Sequence, residues 1–379
     1  MAYSKKPKYY DLMEDLEKQI KSGAFRPGEK LPSENELSVR YQVSRQTVRS
    51  ALAILEEQGL TYARHGSGTF VSELTRPFSQ SRNIAVITTY LSDYIFPRVI
   101  QGVDQVLTEE GYSIILKNTK NSRSMEARIL EELLKKDIDG LIIEPSKSQI
   151  FCKHMHLYET LDSCSIPYVF IQGSYAQMKD KPHILMDDCK GGYLVTRHLI
   201  EQGRTSLVGI FKADDFQGQE RHKGYVQALR EAGIPYDPDM VIWYYTEDRK
   251  MHPYMKLSQL LENRKERFFD GVVAYNDQIA IDVIRAIEEA GLICPQDVAV
   301  TGYDDSYLAS TCKIPLTTIA HPQEKLGSMA AELLLALVRK EPLEKEKLQI
   351  VMEPELVIRA SSMGGNNEKN DAKSPDGLE

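Results

Sequence analysis

The sequence predicts two domains, a small α+β domain at the N-terminus and a larger α/β domain made of two lobes. Residues 8–72 contain three short amphipathic helical patterns followed by a β-hairpin pattern. From residue 83 onward, short apolar runs alternate with amphipathic helical patterns, which is typical of parallel strands covered by helices. This second stretch is too long for one sheet, so we expect two lobes with a ligand cleft at the carboxyl ends of their strands.

The composition is that of an ordinary globular protein, with 42% hydrophobic and 27% charged residues. The sequence has no long apolar run and its first residues are charged, so neither a membrane span nor a secretory signal is expected. Its five cysteines are scattered, which fits reduced thiols better than a disulfide framework or a zinc site. These features predict a cytoplasmic protein.

Charge is distributed unevenly along the chain. Residues 1–72 carry 11 basic and 9 acidic residues, whereas the remainder carries 36 basic and 46 acidic residues. We call residues 1–72 the head and the large domain that follows the body. A basic head on an acidic body suits a nucleic-acid contact confined to the head. The excess of basic residues in the head is small, so the prediction of nucleic-acid binding depends on the sequence motifs.

The head reads as a winged helix–turn–helix. Apolar residues at helical spacing predict a helix over 8–22, which Gly23 ends. Ser33 opens a capping-box pattern, and a second helix follows over about 34–40. Ser44 caps a third helix, which ends at Gly59. The stretch "LTYARHGSGTFVS" then alternates around a glycine-rich turn, as a hairpin does.

The third predicted helix carries the side chains that read DNA bases. Arg45, Gln46 and Arg49 share one face, opposite the apolar stripe that includes Val48 and Leu52. Arginine suits the O6 and N7 atoms of guanine, and glutamine suits the N6 and N7 atoms of adenine. Ser44 and Thr47, at the N-terminus of the helix, suit phosphates.

The hairpin supplies a possible minor-groove contact. Arg64 and His65 precede Gly66 and Gly68, whose lack of a side chain allows the backbone to approach DNA closely. The alternative is a solvated helix face beside an ordinary hairpin. The capped second helix, the wing and the basic balance together favour DNA binding.

Residues 8–72 resemble the GntR-type winged helix–turn–helix family, with "LPSENELSVRYQVSRQTVRSALAILEEQGLTYARHGSGTFV" matching its motif nearly throughout. The resemblance implies a dimer on a pseudo-palindromic operator. It also implies DNA contacts at Ser33, Glu34, Asn35, Ser44, Arg45, Gln46, Thr47, Arg49, His65 and Gly66. Glu34 has three open roles: it accepts from cytosine N4, it positions Arg45 or Arg49, or it only stabilises its own helix.

The domain boundaries follow from changes in composition and hydrophobic periodicity along the chain. Residues 1–72 form the head, 73–82 a polar linker, 83–362 the body, and 363–379 a polar tail predicted to be disordered. The predicted strands of the body lie in "NIAVITTY", "YSIILKN", "DGLIIEPS", "PYVFIQGS", "SLVGIFKA", "VIWYY", "GVVAYND" and "VAVTGYDD", and helices are predicted over 124–136 and 276–290.

The body resembles the LacI/GalR effector-binding domain, which is related to periplasmic sugar-binding proteins. Its signatures are "ERHKGY", "YNDQIA", "VAVTGYDDS" and "LTTIAHP". A GntR-type head on such a body is distinctive of the L-arabinose-responsive repressors of Gram-positive bacteria. The resemblance to these repressors extends over "TTYLSDYIFPRVIQG", "GLIIEPSKS", "DDCKGG", "GIFKADDFQG" and "EPELVIR".

This resemblance implies a set of effector-binding residues. Arg221 is a bidentate donor, Asn276 an amide donor and acceptor, and Asp304 an acceptor for paired hydroxyls. Asp93, Tyr94 and Phe96 approach from the other lobe. Further candidates are Glu144, Lys147, Gln172, Asp215 and His321, with Tyr244 or Trp243 as an apolar wall. A sugar needs such multidentate polar groups and apolar surface. The alternatives are a helix cap for Asn276, a surface charge for Arg221 and a core position for Phe96.

The expected function is therefore a cytoplasmic repressor of arabinose-utilisation genes that L-arabinose releases from its operator, with no cofactor. A repressor that responds to another sugar stays open. A sugar-processing enzyme also stays open, because Asp187–Asp188, Asp214–Asp215 and Asp304–Asp305 could supply a glycosidase pair. His154 and His156, placed in a predicted helix, would diverge, which disfavours a metal site.

Overall fold

The computed structural model describes residues 8–21, 24–64, 67–72, 81–91, 94–265 and 268–363. Several predictions fall outside these ranges: His65 and Gly66 of the wing, Asp93 of the cleft, residues 73–80 of the linker and the tail from residue 364. No helix in the described ranges is long and apolar enough to cross a membrane.

The head has the predicted elements in the predicted order. They are α1 (Lys8–Lys21), α2 (Glu34–Arg40), α3 (Arg45–Glu57), β1 (Thr61–Arg64) and β2 (Gly68–Val71). Ser33 forms the full capping box with Glu36, and Ser44 caps α3 by accepting from the backbone N–H of Thr47. The predicted apolar stripes of all three helices form one buried cluster beneath the antiparallel hairpin.

The first lobe is a six-stranded parallel sheet in the order β13-β7-β6-β5-β3-β4. Its strands are β3 (Asn83–Thr88), β4 (Ser113–Asn118), β5 (Gly140–Ile143), β6 (Tyr168–Ile171), β7 (His183–Met186) and β13 (Gln349–Met352). Its helices are α4 (Phe96–Glu109), α5 (Arg123–Leu133), α6 (Met155–Ser163), α12 (Gln323–Val338) and the short α13 (Lys345–Leu348). Apolar clusters fill both faces of the sheet.

The second lobe is a four-stranded parallel sheet in the order β11-β10-β8-β9. Its strands are β8 (Leu207–Lys212), β9 (Val241–Tyr244), β10 (Gly271–Ala274) and β11 (Ala299–Thr301). Its helices are α7 (Asp188–Glu201), α8 (Phe216–Glu231), α9 (His252–Glu262), α10 (Asp277–Glu289) and α11 (Tyr307–Thr311). A small antiparallel pair, β12 (Thr318–Ala320) with β14 (Glu355–Val357), completes it.

The chain passes between the lobes three times. The crossings join β7 to α7, β12 to α12, and β13 to β14. The first and third crossings are tied together, because the N–H of Asp187 donates to the carbonyl of Met352 at 2.9 Å. The lobes are therefore two separate cores connected by adjacent segments.

The eight strands predicted for the body are present, and the described residues form four more that the sequence did not predict. These four are β7, β12, β13 and β14, each of three or four residues. His154 also differs from the prediction, since it occupies the position before the first residue of α6 instead of lying within a helix with His156.

Candidate effector cleft and DNA-binding surface

A cavity of about 110 Å³ lies between the lobes. Its lining follows the carboxyl ends of strands in both sheets, which is where ligands bind in open α/β folds. Nine of the predicted effector residues line it: Tyr94, Phe96, Glu144, Gln172, Asp215, Arg221, Tyr244, Asn276 and Asp304. Pockets for drug-sized ligands occupy roughly 300–1,000 Å³, so this volume suits a small molecule.

Arg221 is a buried cation at the centre of the cavity wall. Its Nε donates to Asp188 at 2.8 Å, its Nη1 donates to the carbonyl of Tyr275 at 2.6 Å, and its Nη2 lies 3.4 Å from Asp304. The guanidinium also stacks over Tyr303 at 3.5 Å. Burial raises the pKa of Asp188 to about 6, although Arg221 opposes this rise. These bonds fix the plane of the guanidinium before any ligand arrives.

Close helix packing places Arg221. A Cβ at Gly192 of α7 would lie 2.2 Å from the carbonyl oxygen of Arg221, and a Cβ at Gly224 of α8 would lie 1.9 Å from that of Cys189. Only glycine permits this backbone contact. The two glycines therefore bring α8, and Arg221 with it, against α7.

Asp304 faces the first lobe. Its Oδ2 accepts from the hydroxyl of Tyr94 at 2.8 Å, and the same hydroxyl accepts from the backbone N–H of Asp277 at 3.2 Å. Asp304 has φ = 95°, a backbone conformation that residues other than glycine rarely adopt. Backbone strain of this kind is concentrated at functional sites.

Glu144 supplies a carboxyl from the first lobe. Its Oε2 accepts from the backbone N–H and the hydroxyl of Thr89, both at 2.6 Å. Burial raises the pKa of Glu144 to about 7, although the hydrogen bonds from Thr89 lower it. Near neutral pH the group can therefore accept or donate a hydrogen bond, as a sugar hydroxyl requires.

Amide groups complete the polar lining. Gln172 Oε1 accepts from Gln217 Nε2 at 3.0 Å, whereas Gln172 Nε2 is buried without a hydrogen-bond partner among the described residues. Asn276 caps α10 through its Oδ1, which accepts from the N–H of Ile279 at 3.1 Å. The cap role and the cavity role therefore coexist at Asn276, because its amide N–H group is left for a ligand.

Three candidates lie outside the lining. Lys147 pairs with Glu247 and with Asp214, at 3.5 Å. His321 sits behind Gln172, with its Nε2 3.1 Å from Gln172 Oε1, and burial lowers the pKa of His321 to about 4. Trp243 packs with Phe211 and His222 instead. Each is engaged by neighbours that hold it away from the cavity.

The carboxylate pairs that suggested an enzyme are used within the fold. Asp187 and Asp215 cap α7 and α8. Asp188 is held by Arg221, Asp214 accepts from the N–H of Thr246, and Asp305 pairs with Arg359 at 2.7 Å. His154 bonds to Glu126, and no cluster suited to a metal ion occurs among the described residues.

The predicted DNA-reading face of α3 is exposed. Arg45, Gln46 and Arg49 are open to solvent, as are Asn35 at the start of α2 and Arg64 at the tip of β1. The hydroxyls of Ser44 and Thr47 lie 2.9 Å apart at the N-terminus of α3. Glu34 accepts from Nε of Arg49 at 2.9 and 3.0 Å, which corresponds to the positioning role among its three open alternatives.

The comparisons with known proteins agree with this architecture. Residues 8–71 match the profile of bacterial regulatory proteins of the gntR family, and residues 196–362 match a periplasmic binding protein-like domain. The arabinose metabolism transcriptional repressor of Halalkalibacterium halodurans is 40% identical, covering 97% of this chain and 99% of that protein. The repressor of the same description from Geobacillus stearothermophilus is 38% identical, covering 94% of this chain and 98% of that protein.

This chain belongs to the arabinose metabolism transcriptional repressors. Its fold agrees, since the crystal structure of the transcription regulator CcpA of Lactococcus lactis superposes with a TM-score of 0.64 at 26% identity, over 74% of this chain and 98% of that one. The protein is thus a DNA-binding transcriptional repressor with a periplasmic binding protein-like body, and not an enzyme.

Sequence reasoning missed several residues of this repressor's cavity, among them Tyr90, Lys212, Arg249 and Tyr275. Lys212 and Tyr275 both bond to Oδ2 of Asp215, at 2.9 and 2.8 Å. Tyr90 and Arg249 face each other across the cleft, with the guanidinium 4.2 Å from the ring. Lys212 and Tyr275 lie inside the quoted motifs "GIFKADDFQG" and "YNDQIA", so their position at strand ends was the available signal.

Proposed function

We propose that this repressor binds a pseudo-palindromic operator as a homodimer in the cytoplasm, and that L-arabinose releases it by binding in the interlobe cavity. The head residues named above contact DNA. Sugar bound between the lobes favours an arrangement of the two heads that fits the operator poorly. The ligand shifts this equilibrium only through its differential affinity for the two arrangements.

The polar lining of the cavity carries the proposal. A fixed guanidinium at Arg221, carboxyls at Asp304 and Glu144, and amide donors at Gln172 and Asn276 converge on one small volume. A buried donor without a partner, such as Gln172 Nε2, calls for a ligand or a water. Tyr244 and Phe96 add apolar surface for the C–H face of a sugar. Together these groups suit a small neutral polyol.

Support for L-arabinose in particular comes from the names of the two relatives, which are repressors of arabinose metabolism and align over nearly the whole chain. The cavity chemistry by itself suits other pentoses equally well. The choice of L-arabinose therefore rests on these two relatives.

The test is DNA binding by fluorescence anisotropy at fixed salt, on a duplex that the protein selects from a random library. We expect L-arabinose to weaken binding about 5–150-fold, the usual span of allosteric coupling, while D-xylose, D-galactose and D-ribose do not. Arg45→Ala should lose the preference for the selected duplex over a scrambled one, while Arg128→Ala, an exposed arginine of the body, should keep it. If no sugar alters binding, the effector assignment fails and the DNA-binding head stands.

A further inference from the structure

Lys147 reaches from the first lobe to the second. It lies in the loop after β5 with φ = 49°, a left-handed conformation. Its ammonium lies 3.5 Å from Asp214 and also pairs with Glu247, and its side chain is 16% exposed. Both partners belong to the second lobe, and Lys147 does not line the cavity.

The two partners of Lys147 differ in burial. The side chain of Glu247 is 69% exposed, whereas that of Asp214 is fully buried. Asp214 Oδ2 accepts from the N–H of Thr246 at 3.1 Å, but its Oδ1 has no hydrogen-bond partner among the described residues. Among the described residues, the other cation within ion-pair distance of Asp214 is Lys212, at 3.7 Å from Oδ1. Asp214 therefore depends on Lys147 for much of its charge compensation.

Further contacts reinforce the bridge between Lys147 and Asp214. We call the bridge and these contacts together the interlobe clasp, which sets Tyr90, Asn121 and Lys147 of the first lobe against Asp214 and residues 245–251 of the second. Asn121 Oδ1 accepts from the N–H of Lys147, and Asn121 Nδ2 donates to Thr246 Oγ1, both at 2.7 Å. Arg249 stacks over Tyr90. Three loops of one lobe thus hold a single loop of the other beside the cavity.

We propose that Lys147 is a positioning residue for effector binding, which holds the lobes together over the bound effector and slows its release. Parting the lobes would separate Lys147 from Asp214 and leave a buried carboxylate undercompensated, so the pair favours the closed arrangement. An enclosed ligand leaves only when the lobes part, so this preference acts on the dissociation rate. The inference rests on the proposed effector cleft.

The first experiment measures the release of radiolabelled L-arabinose from the full-length protein after dilution. Lys147→Met should raise the release rate about tenfold, within the usual range of conformational couplings, and leave the ranking of sugars unchanged. Lys147→Arg keeps the charge and should restore slow release. Glu247→Gln should have little effect because the carboxylate of Glu247 is exposed, and exposed ion pairs contribute little. Lys153→Met, which removes an exposed charge from the same lobe, is the matched control.

A double-mutant cycle ties the effect to Asp214. In an Asp214→Asn background, which keeps an acceptor for Thr246, Lys147→Met should change release no further, because the interaction is already gone. An undiminished effect in that background would show that Lys147 acts through another contact, and would overturn the assigned partner.

The second experiment needs no sugar. Hydrogen exchange of the Thr246 amide, which donates to Asp214, should be faster in Lys147→Met than in Lys153→Met. Equal exchange in the two variants would overturn the clasp. If the wild-type protein binds no L-arabinose and the exchange still differs, the effector assignment fails while the clasp stands.

Discussion

Asp304 combines the features of a ligand-reading residue in one position. It has an unusual backbone conformation, it lies beside the buried guanidinium of Arg221, and its carboxylate accepts from Tyr94 of the opposite lobe. A hydroxyl that displaces Tyr94 would find a carboxylate already oriented. The neighbouring Asp305 instead pairs with Arg359 and does not line the cavity.

Replacing Asp304 with Asn should separate sugar sensing from DNA binding. Loss of a charged hydrogen bond costs about 1.5–3 kcal/mol, so affinity for L-arabinose should fall roughly 10–150-fold. Operator binding should persist because α3 is untouched. Calorimetric titration with L-arabinose measures the sugar affinity of Asp304→Asn and of the control Asp305→Asn. An equal loss of sugar affinity in the two variants would place the sugar elsewhere.

A second polar cluster stabilises the first lobe away from the cavity. The buried carboxylate of Glu126 accepts from the hydroxyls of Tyr158 and Tyr175 and from the N–H of Ser146, and it lies 2.8 Å from His154 Nε2. Burial by itself lowers the pKa of His154, but bonds with Cys152 and Glu126 outweigh it and raise that pKa to about 9. His154 is therefore protonated in the folded protein at neutral pH.

This raised pKa makes stability depend on pH in the alkaline range. An unfolded histidine titrates near 6.5, so the stabilisation is complete below about pH 6.5 and is lost as the pH rises towards 9. We expect the free energy of unfolding to fall by on the order of 3 kcal/mol over this window. Urea titrations at several pH values measure it. His154→Gln should flatten the dependence, and a slope as steep as that of the wild-type protein would contradict the assignment.

At the scale of the secondary-structure elements, the contact between α7 and α8 is sensitive to side-chain size. At Gly224 an added Cβ would meet the carbonyl oxygen of Cys189 at 1.9 Å and the backbone nitrogen of Tyr193 at 2.4 Å. Backbone atoms cannot yield as a flexible side chain can. The helices would have to separate, and Arg221 lies one turn away on α8.

Gly224→Ala should therefore reduce stability and sugar binding together. Overpacking usually costs about 1–3 kcal/mol, and we expect the upper end or more because the clash is with backbone. Lys223→Ala, at an exposed position of the same helix, should change neither quantity measurably. Urea denaturation and sugar titration of both variants provide the comparison. A stable Gly224→Ala protein with normal sugar affinity would show that α8 can shift without moving Arg221.

Local signals explain which elements could be predicted. The caps at Ser33 and Ser44 and the glycine-rich hairpin define the head within a few residues, and continuous apolar runs mark the long strands of the body. The four strands that were not predicted have weak local patterns. They are stabilised by pairing with strands that are distant in sequence: β13 pairs with β7, and β14 with β12. No short sequence window contains that information.

The same limit applies to the cleft. Asn276 and Asp304 lie just after strands, Arg221 lies on helix α8, and the structure brings all three to one cavity. Lys147 and His321 also lie at strand ends, but the direction of their side chains depends on Asp214, Glu247 and Gln172, which are remote in sequence. Sequence position predicted the correct edge of each sheet without distinguishing the residues of the lining from those behind it.

The molecule as a whole is organised for motion between two cores. Each lobe has its own apolar clusters, and three adjacent crossings connect them. Such an arrangement permits rigid-body rotation at small cost to either core. The clasp and the Tyr94–Asp304 bond lie on the cleft side, so they oppose opening of the lobes.

The three crossings also determine the order in which the protein becomes complete during synthesis. The core of the head uses residues 9–71 alone, so it can form early on the ribosome. The first lobe waits for β13 at residues 349–352, and the second for β14 at residues 355–357. Neither lobe is finished until almost the whole described chain has emerged. A prematurely terminated chain would thus carry a folded DNA-binding head with no sensor to release it.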